Sequence, residues 1–350
     1  MNREAFASGL HRFADRSRLL FPDGPDAWRE KVFAHPDTRQ MAEEMREEAV
    51  RLLLRPIPHL PWSLFRRFEE DGSRKPYETP YFKKRRRLTA LAVTHLLHPD
   101  VPVYREALWD ILWSVCDEYT WCLPAHLPQN GGFTDPATHV DLFAAETAFA
   151  LAEIMTLTRD RLPARIGRRI KAEVRRRVLE PFLAGRPFGW EQARHNWSAV
   201  CAGSVGAAAL YLLDDEAELA AVLSKALASL ECFLDGYGAD GACPEGYGYW
   251  AYGFGFFVYF ADLLDKWTGG AVNLFAREKA AAIARFAQHC FMGGRKVVNF
   301  SDAPPETAVD PGFFHYLHGR YPDIAVPEKA LRGPFRPSTW PWAFSTASGR

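Results

Sequence analysis

The sequence predicts an all-α protein, an (α/α) toroid in which helix hairpins form an incomplete barrel with an inner and an outer ring. Three observations predict it. From about residue 80 onward, apolar residues recur at the 3.6-residue helical period, and alternating stretches are scarce. The helices are of two kinds: 140–158, 196–213 and 248–267 are apolar nearly all round, whereas 162–182, 215–235 and 272–291 carry charge on one face. The first kind belongs inside and the second outside. The starts of the inner kind also repeat in length. His139, His195 and Tyr249 are separated by 56 and 54 residues, and Lys84 precedes His139 by 55, which is the spacing of a repeated helix pair.

Taken in order, residues 1–80 are rich in Pro and Trp and are expected to wrap the helical body. FPDGPDAW and RPIPHLPWSLF read as turns and extended connectors around one helix at 38–54. Residues 81–320 form the toroid. Helices at 84–97 and 102–119 open it, and Asp135–Pro136 leads into 140–158. Gly203, Gly206 and Ala207–Ala209 let the helix at 196–213 approach its neighbours closely. Asp214 and Asp215 place negative charge at the start of 215–235. Gly269–Gly270 ends 248–267, and a shorter helix lies near 311–319. Residues 321–350 are a tail.

Composition excludes several function classes. The chain has 350 residues and a formal net charge of zero, so no global field recruits nucleic acid or an anionic membrane. Cys116, Cys122, Cys201, Cys232, Cys243 and Cys290 form no CxxC pair and read as small buried hydrophobes. HExxH, P-loop and nucleophile-elbow patterns are absent, so neither a metal nor an organic cofactor is expected. The N-terminal MNREAFASGLHRFADRSRLLF lacks the apolar core of a secretory signal. No apolar run of membrane-spanning length occurs. A cytoplasmic location is the expectation.

In such an array successive inner helices run parallel, so His139, His195, Asn196 and Tyr249 share one rim. The positive ends of helix dipoles there favour an anionic ligand. RHNW (Arg194–Trp197) gathers a cation, an imidazole, an amide and an indole. Its plainer reading is a helix cap at Asn196 with Trp197 in the core. PEGYGYW supplies Glu245, Tyr247, Tyr249 and Trp250. The phenol of Tyr249 suits protonation of a leaving alkoxide. Its plainer reading is a glycine-rich turn. WCLPAHLPQNGG puts His126 and Gln129 in a long loop above the same rim, lining the site or only ordering the loop. Lys83–Arg87 and Arg165–Arg177 are basic runs. Outer-helix charge is usually solvated surface, which makes Arg85–Arg87 the better anion-binding candidate.

These motifs, HNWSAVCAGSVGAAAL, DGACPEGYGYWAYG and WCLPAHL…HVDLFAAETAFALAEI, with NFSDAP at Asn299–Pro304, resemble the heparinase II/III-like polysaccharide lyases over roughly residues 20–320. The resemblance implies a toroid in which a Tyr, matched by Tyr249, acts on the glycosidic oxygen. It also implies an Asn or His, matched by either Asn196 or His195, that engages the uronate carboxylate or the C5 proton. It further implies a C-terminal β-sandwich with another site His and sometimes a structural zinc. No room for that domain follows FRPSTWPWAF before Arg350. The chain then corresponds either to a piece of a two-domain lyase or to a minimal form.

The expected function is cleavage of an acidic polysaccharide or oligosaccharide by β-elimination. His195 or Tyr249 removes the C5 proton of a uronate, and Tyr249 protonates the departing O4. Asn196, with Arg194 or His126, neutralises the carboxylate. Trp197 and Trp250 stack on or shape sugar subsites, and Gln129, His139, Glu245 and Tyr247 complete the binding surface. Two alternatives stand beside it. One is a glycoside hydrolase using Glu245 and Asp141 as acid and base, and the other is a non-catalytic carbohydrate-binding remnant.

Overall fold

A computed structural model describes residues 3–128 and 135–332. The chain is mostly helical. In chain order the longer helices are α1 (Arg3–Arg12), α2 (Pro25–Ala34), α3 (Pro36–Leu53), α4 (Lys75–Leu97), α5 (Pro102–Cys116), α6 (Leu142–Leu157), α7 (Ala164–Val174), α8 (Asn196–Leu212), α9 (Glu216–Asp235), α10 (Gly255–Thr268), α11 (Glu278–Phe286) and α12 (Pro311–Arg320). Strands β1 (Phe291–Gly293) and β2 (Lys296–Val297) form an antiparallel hairpin where the sequence predicted the end of a helix. Gly293 and Gly294, both with positive φ, provide the reversal.

The helices belong to two compact units, one drawn from the described residues of Met1–Pro22 and Arg186–Pro334, the other from those of Asp23–Gly185. Neither boundary lies near residue 80. The Gln129 position and residues 333–350 of the tail lie outside the described residues.

In the second unit, helices adjacent in sequence pair as hairpins: α2 with α3, α4 with α5, and α6 with α7. FPDGPDAW, expected as a turn, instead starts α2. Gly24 takes φ 94° before the helix, and Pro25 occupies its first position, where a missing N–H costs nothing. For the same reason α4 starts nine residues before the expected Lys84: Pro76 lies in its first turn, and Pro80 removes one further bond. The basic run of α4 faces inward. Arg85 donates to both oxygens of Glu118 at 2.8 and 2.7 Å and to Thr147 Oγ1 at 2.9 Å. Lys84 Nζ lies 3.0 Å from the same carboxylate, and Arg87 donates to the Arg55 carbonyl. Arg177 donates to the carbonyls of Glu118 and Tyr119. Such a cluster is stable only while complete, since removing one partner of a buried pair costs about 3–5 kcal/mol.

In the first unit α8 is the central element and buries 16 of its 17 residues. The connection Leu213–Asp215 returns the chain as α9, capped by Asp215, whose carboxylate accepts from Glu218 N–H at 2.8 Å. Gly203 and Gly206 of α8 face α10. A Cβ at Gly206 would lie 2.4 Å from the Phe260 ring, and one at Gly203 would lie 3.0 Å from the Phe256 carbonyl. Small residues thus bring these backbones together, as the sequence predicted. Gly269 closes α10 at φ 62°. The first helix, α1, docks onto α10, where Trp267 Nε1 donates to the Phe6 carbonyl at 2.8 Å. The burial contrast between the predicted inner and outer segments is also present. α6 and α10 are largely buried, whereas α7 buries only Ile166, Ile170 and Val174.

Candidate functional site

The RHNW and EGYGYW motifs meet in the first unit. His195, with extended backbone, is the cap of α8, and its Nδ1 faces the Trp197 N–H at 3.5 Å, a long contact for a hydrogen bond. Asn196, which the plainer sequence reading made the cap, is the first helical residue. Its side chain points inward, and the residue is only 3% exposed. The amide Nδ2 donates to Glu245 Oε1 and Oε2 at 2.9 and 3.1 Å, and the backbone N–H donates to Oε2 at 3.2 Å. Asn196 Oδ1 is sealed from solvent without a hydrogen-bond partner among the described residues. A buried acceptor left unpaired costs about 1–3 kcal/mol.

Two glycines make this junction possible. A Cβ on Gly253 would fall 2.9 Å from Asn196 Cβ, and one on Gly236 would fall 2.0 Å from the Arg194 carbonyl oxygen. Glu245 is held in a turn in which Gly246, at φ 89°, donates to the Cys243 carbonyl. Burial pushes up both the Cys243 thiol and the Tyr237 phenol.

After this turn the chain makes one α-turn at Tyr247–Tyr249, a π-turn at Trp250–Phe254 and then α10. Tyr249 is half-buried. Among the described residues no side chain hydrogen-bonds its hydroxyl. Tyr247 and Trp250 differ from expectation. Trp250 is fully buried, donates from Nε1 to the Ile283 carbonyl at 2.8 Å and packs on Phe313 and Phe314. Tyr247 lies against Trp250 and Phe291, and burial raises its pKa. Both are core residues. Arg194 and His195 are exposed, and Trp197 is partly so.

His126, His139 and Asp141 lie in the second unit. Asp141, with no exposed surface, caps α6: Oδ1 accepts from Ala144 N–H at 2.7 Å, and Oδ2 accepts from Leu123 N–H at 3.2 Å. The same oxygen lies 2.7 Å from His126 Nδ1. The His126 ring stacks on Phe143, and Arg74 Nη2 stands 3.4 Å from Nε2. The imidazole therefore orders its loop. Burial pulls the pKa of His139 down, with Asp141 opposing the shift. An Asp141 carboxylate holding two backbone N–H groups and an imidazole is a structural cap and is unsuited to the acid or base role weighed for it. The cavity beside Arg85, walled also by Tyr81, Phe143, Glu146 and Thr147, has room for about one water molecule. The preferred anion-binding candidate, Arg85–Arg87, is thus corrected: Arg85 and Arg87 are buried because Glu118 and backbone carbonyls, invisible in the local sequence, draw them inward.

Sequence reasoning named Glu245 but not its hold on Asn196, and it missed Gly236 and Gly253. The glycine density of GYGYWAYG was the available signal for Gly253. Among the described residues no group of His, Cys, Asp and Glu is arranged to hold a metal, and no helix is long and apolar enough to cross a membrane. No protein-family model matches the chain, and no curated protein matches it significantly.

Proposed function

We propose that the chain is the helical, toroid-forming part of a polysaccharide lyase that cleaves a uronate-containing glycan by β-elimination. The observation that carries this reading is the meeting of the two motifs: Glu245, four residues before Tyr249, holds the first residue of the helix that His195 caps. An imidazole, a guanidinium and a phenol thereby belong to one helix start and the turn packed on it.

We assign the roles from the Asn196–Glu245 pairing. Because Glu245 takes the Asn196 amide nitrogen, the exposed Arg194 and His195, with the positive end of α8, are the groups that meet the substrate carboxylate. Neutralising that carboxylate acidifies the adjacent C5–H. His195 or Tyr249 accepts the proton, and Tyr249 returns one to O4 as the C4–O4 bond breaks. Asn196 acts from behind by fixing the Glu245 turn.

The test is ultraviolet absorbance of the 4,5-unsaturated uronate on incubation with alginate, hyaluronan or heparan oligosaccharides. Tyr249→Phe should lower that rate by about 10²–10⁴-fold, the usual worth of a positioned acid or base. New reducing ends without the chromophore would reject elimination. The sealed Asn196 amide favours a second reading, binding without turnover, in which Tyr249→Phe leaves oligosaccharide affinity unchanged and the wild type produces no chromophore. Hydrolysis loses support with Asp141 committed as a cap.

A further inference from the structure

Positive charge is not spread evenly over this neutral chain. From Arg165 to Arg177 there are seven basic residues and one acid, Glu173. α7 commits Ile166, Ile170 and Val174 to the core of its unit. Arg165, Arg168 and Lys171 are exposed, and at 100° per residue they follow the opposite face over about 9 Å; the exposed Arg175 and Arg176 follow in a π-turn.

Several surface arginines of this unit are matched by acids one helical turn away: Arg46 by Glu43, Arg51 by Glu48, Arg67 by Asp71 and Arg74 by Glu78. In the π-turn that follows α7 the cations have acid neighbours, Arg175 with Glu180 and both Arg176 and Arg177 with Glu173. Arg165, Arg168 and Lys171 make no ion pair among the described residues. They are spaced three residues apart, where like charges repel. The helix also starts without a side-chain cap and without an acid in its first turn, so its dipole adds to their field instead of offsetting theirs. An anion laid along this face would relieve both effects.

We propose that this face of α7 is a binding surface for a linear polyanion, specifically an acidic polysaccharide. The choice of polysaccharide rests on the function proposed above. Single-stranded nucleic acid fits less well, because residues 164–176 contain no aromatic side chain on which bases stack. The exposed Trp113 nearby already carries the Arg169 guanidinium 4.4 Å above its ring. An anionic bilayer fits less well because the apolar face that would enter it is buried. The surface would hold a stretch of chain outside the reacting sugars, through contacts that strengthen as salt falls.

The experiment is calorimetric titration of the full Tyr249→Phe chain, which removes turnover, with size-defined heparin and alginate oligosaccharides at several salt concentrations. Neutral dextran is the reference. Affinity should fall linearly in log–log form with salt. The triple variant R165Q/R168Q/K171Q should bind roughly ten- to a hundredfold more weakly at low salt, with a slope smaller by about two to three. Arg46→Gln, on the matched helix α3, should change neither. Should the triple variant fail to melt cooperatively, Arg168→Gln alone should move both quantities in the same direction. Equal binding by the α7 variants overturns the proposal. So does failure to bind either oligosaccharide, or tighter binding of a DNA duplex or of phosphatidylserine vesicles. Oligosaccharide binding that depends on α7, together with no chromophore from the wild type, would reject the lyase reading and leave this surface standing.

Discussion

The starts of α6 and α8 are made from similar parts in opposite order. At α6 a carboxylate, Asp141, is the cap and an imidazole, His126, is held by it. At α8 an imidazole, His195, is the cap, and a carboxylate, Glu245, is held by the next residue's amide. The first junction is closed: Asp141 has no exposed surface and its oxygens serve three donors. The second leaves its cap in solvent with one long contact. Equal spacing along the chain therefore does not give equal chemistry. A strong cap uses up the acceptor that a catalyst would need, while a weak cap leaves its side chain available.

The largest effect that sharpens this contrast is at Asp141. Asp141→Ala strands two backbone N–H groups and the His126 ring, and should cost about 3 kcal/mol of unfolding free energy in urea. A loss below 1 kcal/mol would mean that the α6 junction is as open as that of α8.

Next comes the imidazole that the second unit buries outright. His95 lies edge-on to Trp109 with Nδ1 unpartnered among the described residues, and burial lowers its pKa to about 4. Below the unfolded value of about 6.5 the unfolded chain takes up a proton that the folded chain refuses. Its contribution is therefore full at neutral pH and falls as pH drops from about 6.5 to about 4, by up to roughly 3 kcal/mol. His95→Phe should flatten the stability profile in that window, and an unchanged slope would show that the ring titrates freely.

A smaller effect is expected at Glu245. Glu245→Ala leaves the Asn196 amide nitrogen without its acceptor and should cost about 1–2 kcal/mol. The smallest is at His195, where His195→Ala removes only the 3.5 Å contact and should change stability by no more than about 0.5 kcal/mol. If His195→Ala proves more damaging than Asp141→Ala, the contrast between the two junctions is inverted.

Several of these elements are legible in the sequence. The nearly all-round apolar character of α6 and α8, the Asp215 cap and the Gly269 stop are local signals, and each appears at its expected place. The first two helices were less visible, because Gly24–Pro25 serves a turn and a helix start equally well. The β1–β2 hairpin was hidden in a segment whose apolar residues also suit a helix. At the site, the two motifs do meet, but the repeat spacing that suggested it applied equally to His139, which belongs to the other unit. The pairing of Asn196 with Glu245 was not legible, since it depends on the room that Gly253 leaves. The depth of Arg85 was equally hidden, because its partner Glu118 lies in the turn just past the end of α5, 33 residues away.

The π-turn at Trp250–Phe254 also sets a phase. One extra residue in a helical turn rotates everything before it by about 100° relative to everything after it. Tyr249 lies before that insertion, whereas Phe256 and Phe260, which lock against Gly203 and Gly206, lie after it. The direction in which the phenol points is thus set independently of the seam that anchors α10. Deleting a single residue within the π-turn would keep the seam and swing the phenol about a quarter-turn around the helix axis.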